Sequence, residues 1–189
     1  MLCGSVELSI LHWIQDHLQC GFMDAVMPWI TKLGDSGIFC ILLALVLLCV
    51  KKTRRTGLSM GIALLLGLLI GNILLKNVVA RVRPYDVDLT VTLLVRRLSD
   101  FSFPSGHTLA AFETSTVLLI RHRKVGIVAT VVAALVAFSR LYLFVHYPTD
   151  VLAAIILGVA FGAFGCFLAD RIYDAIGHRR QKKAEKIEK

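Results

Sequence analysis

Five apolar runs follow one another along this chain with only short charged stretches between them: Ser36–Val50, Leu58–Leu75, a run from near Pro104 to Ile120, Val125 to about Tyr142, and Val151–Leu168. A helix that is apolar around its whole circumference has no solvent face, and in lipid each backbone polar group must be paired within its own segment. The chain is therefore expected to be all-α, a polytopic membrane helical bundle with five clear transmembrane helices. Seventeen residues of helix cover about 25 Å, so the flanking residues are needed to complete each crossing. Composition agrees: 57% of the 189 residues are hydrophobic and mean hydropathy is +0.74, too apolar for an ordinary soluble domain. At roughly 20 residues per crossing, five or six elements use up the chain, and no second domain fits.

The first 34 residues read differently. Ile10, Trp13, Ile14 and Leu18 recur at helical spacing among Glu7, Asp16 and His17, the pattern of an amphipathic helix lying in the interface. A second short segment, Phe22–Leu33, carries Pro28 and Trp29 and ends at Gly34. The expected division is an amphipathic interfacial segment over 1–34, a transmembrane domain over 35–172 and a basic cytoplasmic tail over 173–189. No removable signal peptide is evident, so the internal spans are expected to direct insertion. The cysteines at 3, 20, 40, 49 and 166 lack paired metal-ligand spacing and read as free packing residues. Gly61, Gly67, Gly71, Gly158, Gly162 and Gly165 recur at the small-xxx-small spacing that lets helices approach closely.

Charge orients the bundle. Lys51, Lys52, Arg54 and Arg55, then Arg121, Arg123 and Lys124, then the tail from Arg171 onward fall on one side if the spans alternate, and that side is expected to be cytoplasmic. Yet Lys76, Arg81, Arg83, Arg96, Arg97 and Arg140 fall on the opposite face. An anionic ligand explains them most simply; attraction to lipid headgroup phosphates is the plainer rival. On that same face Ser139–Asp150 reads SRLYLFVHYPTD. With a helix starting at Pro148, Asp150 falls in its first turn, within reach of a ring nitrogen of His146. An oriented imidazole beside Arg140 points to a base or nucleophile aimed at an anion, although polar residues of a membrane interface fit the segment as well. Pro104–His107 reads PSGH at the head of another span, where free helix N–H groups and Gly106 offer a cradle for a phosphate oxygen.

Taken in order, K-x6-RP from Lys76, PSGH from Pro104 and SR-x5-H-x3-D from Ser139 fill eleven specified positions. This pattern resembles the signature of the type 2 phosphatidic acid phosphatase (PAP2) superfamily, and the short spans around it resemble its small bacterial membrane members. The resemblance implies that Lys76, Arg83 and Arg140 bind the substrate phosphate, with Ser105 and Gly106 steadying its oxygens. It implies His146 as the nucleophile that forms a phosphohistidine, Asp150 as its holder and His107 as general acid, with a bell-shaped pH dependence. Three fixed cations stabilise a phosphoryl transition state without a metal ion, so neither a metal nor a cofactor is expected. The implied substrate is a lipid phosphate or diphosphate in the bilayer of a bacterial plasma membrane, met on the extracytoplasmic side. Undecaprenyl diphosphate is favoured, phosphatidylglycerophosphate or phosphatidic acid is the alternative, and no residue decides between them.

A vanadium-dependent haloperoxidase would share the phosphate site, but those relatives are soluble. A non-catalytic lipid-phosphate binder or transporter would need the cations and have no use for two histidines and Asp150. No nucleic acid partner is expected, and the sequence leaves oligomeric state open. Beyond the motifs, Arg81 and Tyr85 face headgroup or solvent, and Glu113 either tunes a cation or plays a structural part. His12, His17, His122 and His178 read as surface residues. Phe101, Phe103, Tyr142, Phe144 and Tyr147 read as an aromatic belt beside the site.

Overall fold

The computed structural model describes residues 2–32 and 37–187, with side chains over 5–32 and 37–177. Gly34 and the 34/35 boundary lie outside the described residues, and so do the side chains of Cys3, His178 and the rest of the basic tail. The helices run α1 (Leu2–Leu18), α2 (Gly21–Lys32), α3 (Ile38–Cys49), α4 (Arg54–Leu66), α5 (Lys76–Val79), α6 (Pro84–Val87), α7 (Gly106–Arg121), α8 (Arg123–Tyr142) and α9 (Pro148–Ile187). A π-helical stretch, Gly67–Leu75, joins α4 to α5 without a break. No β-strand occurs among the described residues.

Each of the five apolar runs is helical over most of its described length. Among the described residues, three stretches are long and apolar enough, by length and composition, to cross a membrane: Arg54–Val87, Arg123–Tyr142 and Pro148–Gly177. Helix α3 is as apolar but has 12 residues, about 18 Å, and α7 has 16 residues, about 24 Å. Large apolar side chains stand exposed along the bundle, among them Leu42 and Leu45 on α3, Val128, Val131 and Leu135 on α8, and Ile156 on α9. In water such a girdle is a liability, whereas in a bilayer it is the solvated surface; the protein is an integral membrane protein.

Helix α7 is the hub, packed along both α8 and α9, while α9 lies against α4 and α4 against α3. Glycine permits the closest of these contacts. A Cβ on Gly162 would stand 2.7 Å from Thr116 Cβ and 3.0 Å from the Glu113 carbonyl, so α9 meets the α7 backbone there. Gly61 breaks the expected pattern: nothing lies within 4 Å of its missing Cβ, and it faces a cavity.

At one end Arg121 Nη2 donates to Asp170 at 2.7 Å, Arg55 reaches Asp170 and Asp174 at 3.2 Å each, and Thr56 Oγ1 lies 2.9 Å from His122 Nε2. These pairs gather the α3–α4 turn, the α7–α8 turn and α9, with both described basic clusters, at a single end. The other end holds α1, α2, the segment 88–105 and residues 143–147. Here α1 and α2 are more than surface helices: Leu11, Ile14 and Met27 form a core with Tyr85, Tyr142, Phe144, Val145 and Tyr147, while Val6, Ile10 and Trp13 face outward. The expected aromatic belt is corrected accordingly. Tyr142 and Phe144 are 0% exposed and Tyr147 is 5% exposed, because α1 covers them.

Candidate active site

Helix α8 ends at Tyr142, and Phe144 then takes a φ of 56°, a left-handed conformation costly for a side chain without local hydrogen bonding. That reversal lets the chain turn within five residues and start α9 at Pro148, leaving His146 in the bend. His146 is 1% exposed. Its Nε2 lies 3.2 Å from Arg83 Nη1, and a guanidinium only donates, so Nε2 carries the lone pair and Nδ1 the proton. Nδ1 faces Ser102 Oγ at 3.4 Å and Asp150 Oδ2 at 3.6 Å, while Ser102 Oγ itself donates to Asp150 Oδ2 at 2.5 Å. The orienting group is thus a serine and a carboxylate acting together, where the spacing alone had pointed to Asp150. Burial pushes the His146 imidazole down to about 3; the Arg140 and Arg83 charges add to this, and Asp150 opposes it without prevailing. The ring is neutral over the whole physiological range.

Asp150 is fully buried and well supplied with donors: Ser102 Oγ, the Tyr147 N–H at 2.9 Å, and Arg81 Nη1 at 2.6 Å. Arg81 therefore does not face solvent. It stacks 3.8 Å over the Tyr147 ring and reaches Glu7 of α1 at 2.5 Å, and Glu7 in turn accepts from the Thr149 N–H and hydroxyl. Tyr85 is likewise buried, its hydroxyl bonded to the Leu98 backbone. His12 is half-buried, 2.8 Å from Asp88, and not free on the surface.

A cavity of about 880 Å³ opens beside this network, and Lys76, Arg83, Gly106, His107 and His146 all line it at one end. Ile41, Leu45 and Leu48 of α3 and Leu64, Leu65 and Leu68 of the α4 column line the rest. One cavity thus joins a cationic, imidazole-bearing head to an apolar slot between α3, α4 and α7. The π-helical stretch ahead of Lys76 widens the helix next to the site, a frequent feature of functional sites. It also sets Asn72 beside Gly106, where an added Cβ would stand 2.8 Å from Asn72 Oδ1.

Three sequence-predicted residues stand apart from the cavity wall: Asp150, buried behind His146, and Ser105 and Arg140. Ser105 is buried, its hydroxyl 3.0 Å from Thr108 Oγ1 and its N–H donating to the Asp150 carbonyl at 3.3 Å. The first helical residue of α7 is Gly106, with Ser105 at the cap position, where a start at Pro104 had been expected. Arg140 is 3% exposed and donates to Thr31 of α2 at 2.5 Å. Glu113 is buried deeper along the same cavity, against Gly67.

Sequence reasoning missed Asp100, Ser102, Glu7 and Thr31. Asp100 accepts from Arg83 through its carbonyl at 2.9 Å and its Oδ1 at 2.6 Å, and its Oδ2 pairs with Lys76. Its position as an acid among the misplaced cations was the available signal. The other three are ordinary polar residues whose partners lie 44 to 142 positions away.

A helical membrane bundle that sets two imidazoles and two cations at the mouth of an apolar slot defines a membrane lipid phosphatase. The chain belongs to the PAP2 superfamily, whose family model matches residues 56–171. Among its relatives, an undecaprenyl-diphosphatase of Bacillus subtilis, BcrC, is 37% identical over 171 residues, spanning 85% of this chain and 88% of the relative. Phosphatidylglycerophosphatase B of the same organism is 32% identical over 173 residues, spanning 85% and 80%. The crystal structure of a transmembrane PAP2 type phosphatidylglycerolphosphate phosphatase from Bacillus subtilis superposes with a TM-score of 0.71 at 30% identity, covering 93% of this chain and 88% of that one.

Proposed function

We propose that this phosphatase removes the terminal phosphate of undecaprenyl diphosphate on the extracytoplasmic face of a bacterial plasma membrane. The observation that carries the reading is the joining of Lys76, Arg83, His107 and His146 to an apolar slot in one cavity. The relative named undecaprenyl-diphosphatase supports the substrate, and the opposed basic clusters support the sidedness.

Lys76 and Arg83 hold the terminal phosphoryl group, Arg140 adds its charge from behind His146, and the N–H groups at the start of α7 around Gly106 meet a phosphate oxygen. Ser105 supports this turn through its bond to the Asp150 carbonyl. The Nε2 lone pair of His146 attacks phosphorus, an N–P bond forms, and the bond to the bridging oxygen breaks. His107 donates a proton to that oxygen, so the lipid monophosphate leaves. Water then attacks the phosphohistidine, His107 takes up the water proton, the N–P bond breaks, and inorganic phosphate departs with His146 neutral again. Asp150 and Ser102 balance the positive charge that builds on the imidazole during both steps. Helices α1 and α2 lie at the headgroup level over the site.

Purified protein in detergent, offered prenyl and diacyl phosphates and diphosphates with a chelator present, tests the reading. Phosphate release is expected with every chelator concentration and is expected to be fastest from the prenyl diphosphate. A preference for phosphatidylglycerophosphate would move the assignment to the second named relative's activity. His146→Ala is expected to bind lipid but release no phosphate; release at the parent rate would leave only a binder.

A further inference from the structure

The site contains an anion of its own. Each oxygen of the Asp100 carboxylate is assigned to a different cation, Oδ1 to Arg83 Nη2 at 2.6 Å and Oδ2 to Lys76 Nζ. Two oxygens of a phosphoryl group would bridge that same pair of donors in the same way. The cations are buried and the carboxylate is half exposed: Arg83 and Lys76 side chains are 2% and 12% exposed, against 49% for Asp100, which sits on a non-helical segment lining the cavity.

We propose that Asp100 determines headgroup specificity: its carboxylate competes for Lys76 and Arg83, holding off monoanionic phosphodiester headgroups and yielding to a dianionic terminal phosphate. The proposal rests on the reading of Lys76 and Arg83 as the phosphate-binding cations.

The reason is electrostatic. A cluster of cations at the membrane surface faces phosphodiester lipids in large excess over any lipid phosphate, and each diester carries one negative charge. Without Asp100 any of them would be attracted into the site. When a monoanion must displace a carboxylate of equal charge, the Coulomb gain nearly cancels, whereas a dianion gains about twice the attraction it replaces. Specificity then comes from a group placed against the wrong ligand as much as from contacts to the right one. Burial of Asp100 alone would raise its carboxyl, but the hydrogen bonds and charges of Lys76 and Arg83 outweigh it and hold the group down at about 2, so the competitor stays ionised.

The test compares full-length wild type, Asp100→Asn and Asp100→Glu on one prenyl diphosphate in micelles whose carrier lipid is zwitterionic phosphatidylcholine or monoanionic phosphatidylglycerol. Wild type and D100E are expected to show nearly the same KM in both carriers. D100N is expected to show a KM below wild type in phosphatidylcholine and at least about tenfold higher in phosphatidylglycerol, with kcat within about threefold in both. Asp100→Ser repeats the comparison should the amide not be tolerated. Carrier-independent KM in the neutral variants overturns the proposal, and so does an equal loss of kcat in both carriers, which would make Asp100 a brace for Arg83. D100E that behaves like D100N overturns it as well. Wild type inactive on every lipid phosphate would instead remove the phosphatase reading, an outcome separate from these.

Discussion

In the proposed reaction His146 is the nucleophile, and its surroundings suit it to that part. Its Nε2 is kept unprotonated by burial and by two cations, and its Nδ1 proton is directed at Ser102 and Asp150. His146→Ala is expected to lower kcat by at least about a thousandfold, checked by phosphate release under saturating lipid. The sign of the pH effect follows from the lowered imidazole. Attack needs the neutral ring, which gains a proton only as pH falls through about 3, so no acidic limb of kcat/KM above pH 4 belongs to His146. Such a limb is expected to track the second ionisation of the substrate phosphate and to shift when a substrate of different phosphate pKa is used. The same lowering makes the folded state lose stability as pH falls from about 6.5 toward 3, because the unfolded chain takes up the proton that the buried ring refuses.

At the scale of elements, helices far apart in sequence carry the site's supports. Arg81, between α5 and α6, joins Glu7 of α1 to Asp150 of α9, and both carboxylates are at least 94% buried. Arg81→Met leaves both acids without their cation and is expected to cost about 3 kcal/mol in unfolding free energy, read as a lowered Tm in detergent, with activity lost in parallel. Gly162→Val forces α9 off α7 where Thr116 and the Glu113 carbonyl are already at contact distance, and is expected to cost about 2 kcal/mol. Gly61→Ala meets open space and is expected to leave Tm unchanged, which makes it the control.

At the scale of the whole molecule, the protein carries its own probes of sidedness. Cys20, at the α1–α2 turn beside the site end, and Cys49, at the α3–α4 turn of the opposite end, are both exposed free thiols. In single-cysteine variants of intact cells, a membrane-impermeant maleimide is expected to label Cys20 and spare Cys49. The reverse pattern would place the active site toward the cytoplasm.

Apolar run length and charge spacing sufficed for the five helical runs, the membrane setting and the split between two charged ends, because these depend on local propensity and on the solvent around each segment. The three motifs single out Lys76, Arg83, His107 and His146, which share one cavity. Local sequence did not determine that α1 and α2 close the core over Tyr142 and Phe144, or that Ser105 and Arg140 stand back from the cavity wall. Nor did it reveal Asp100 bridging two cations, or Ser102 standing beside both His146 and Asp150. Those outcomes rest on contacts between residues tens of positions apart, which exist only once packing of α7, α8 and α9 brings their ends together.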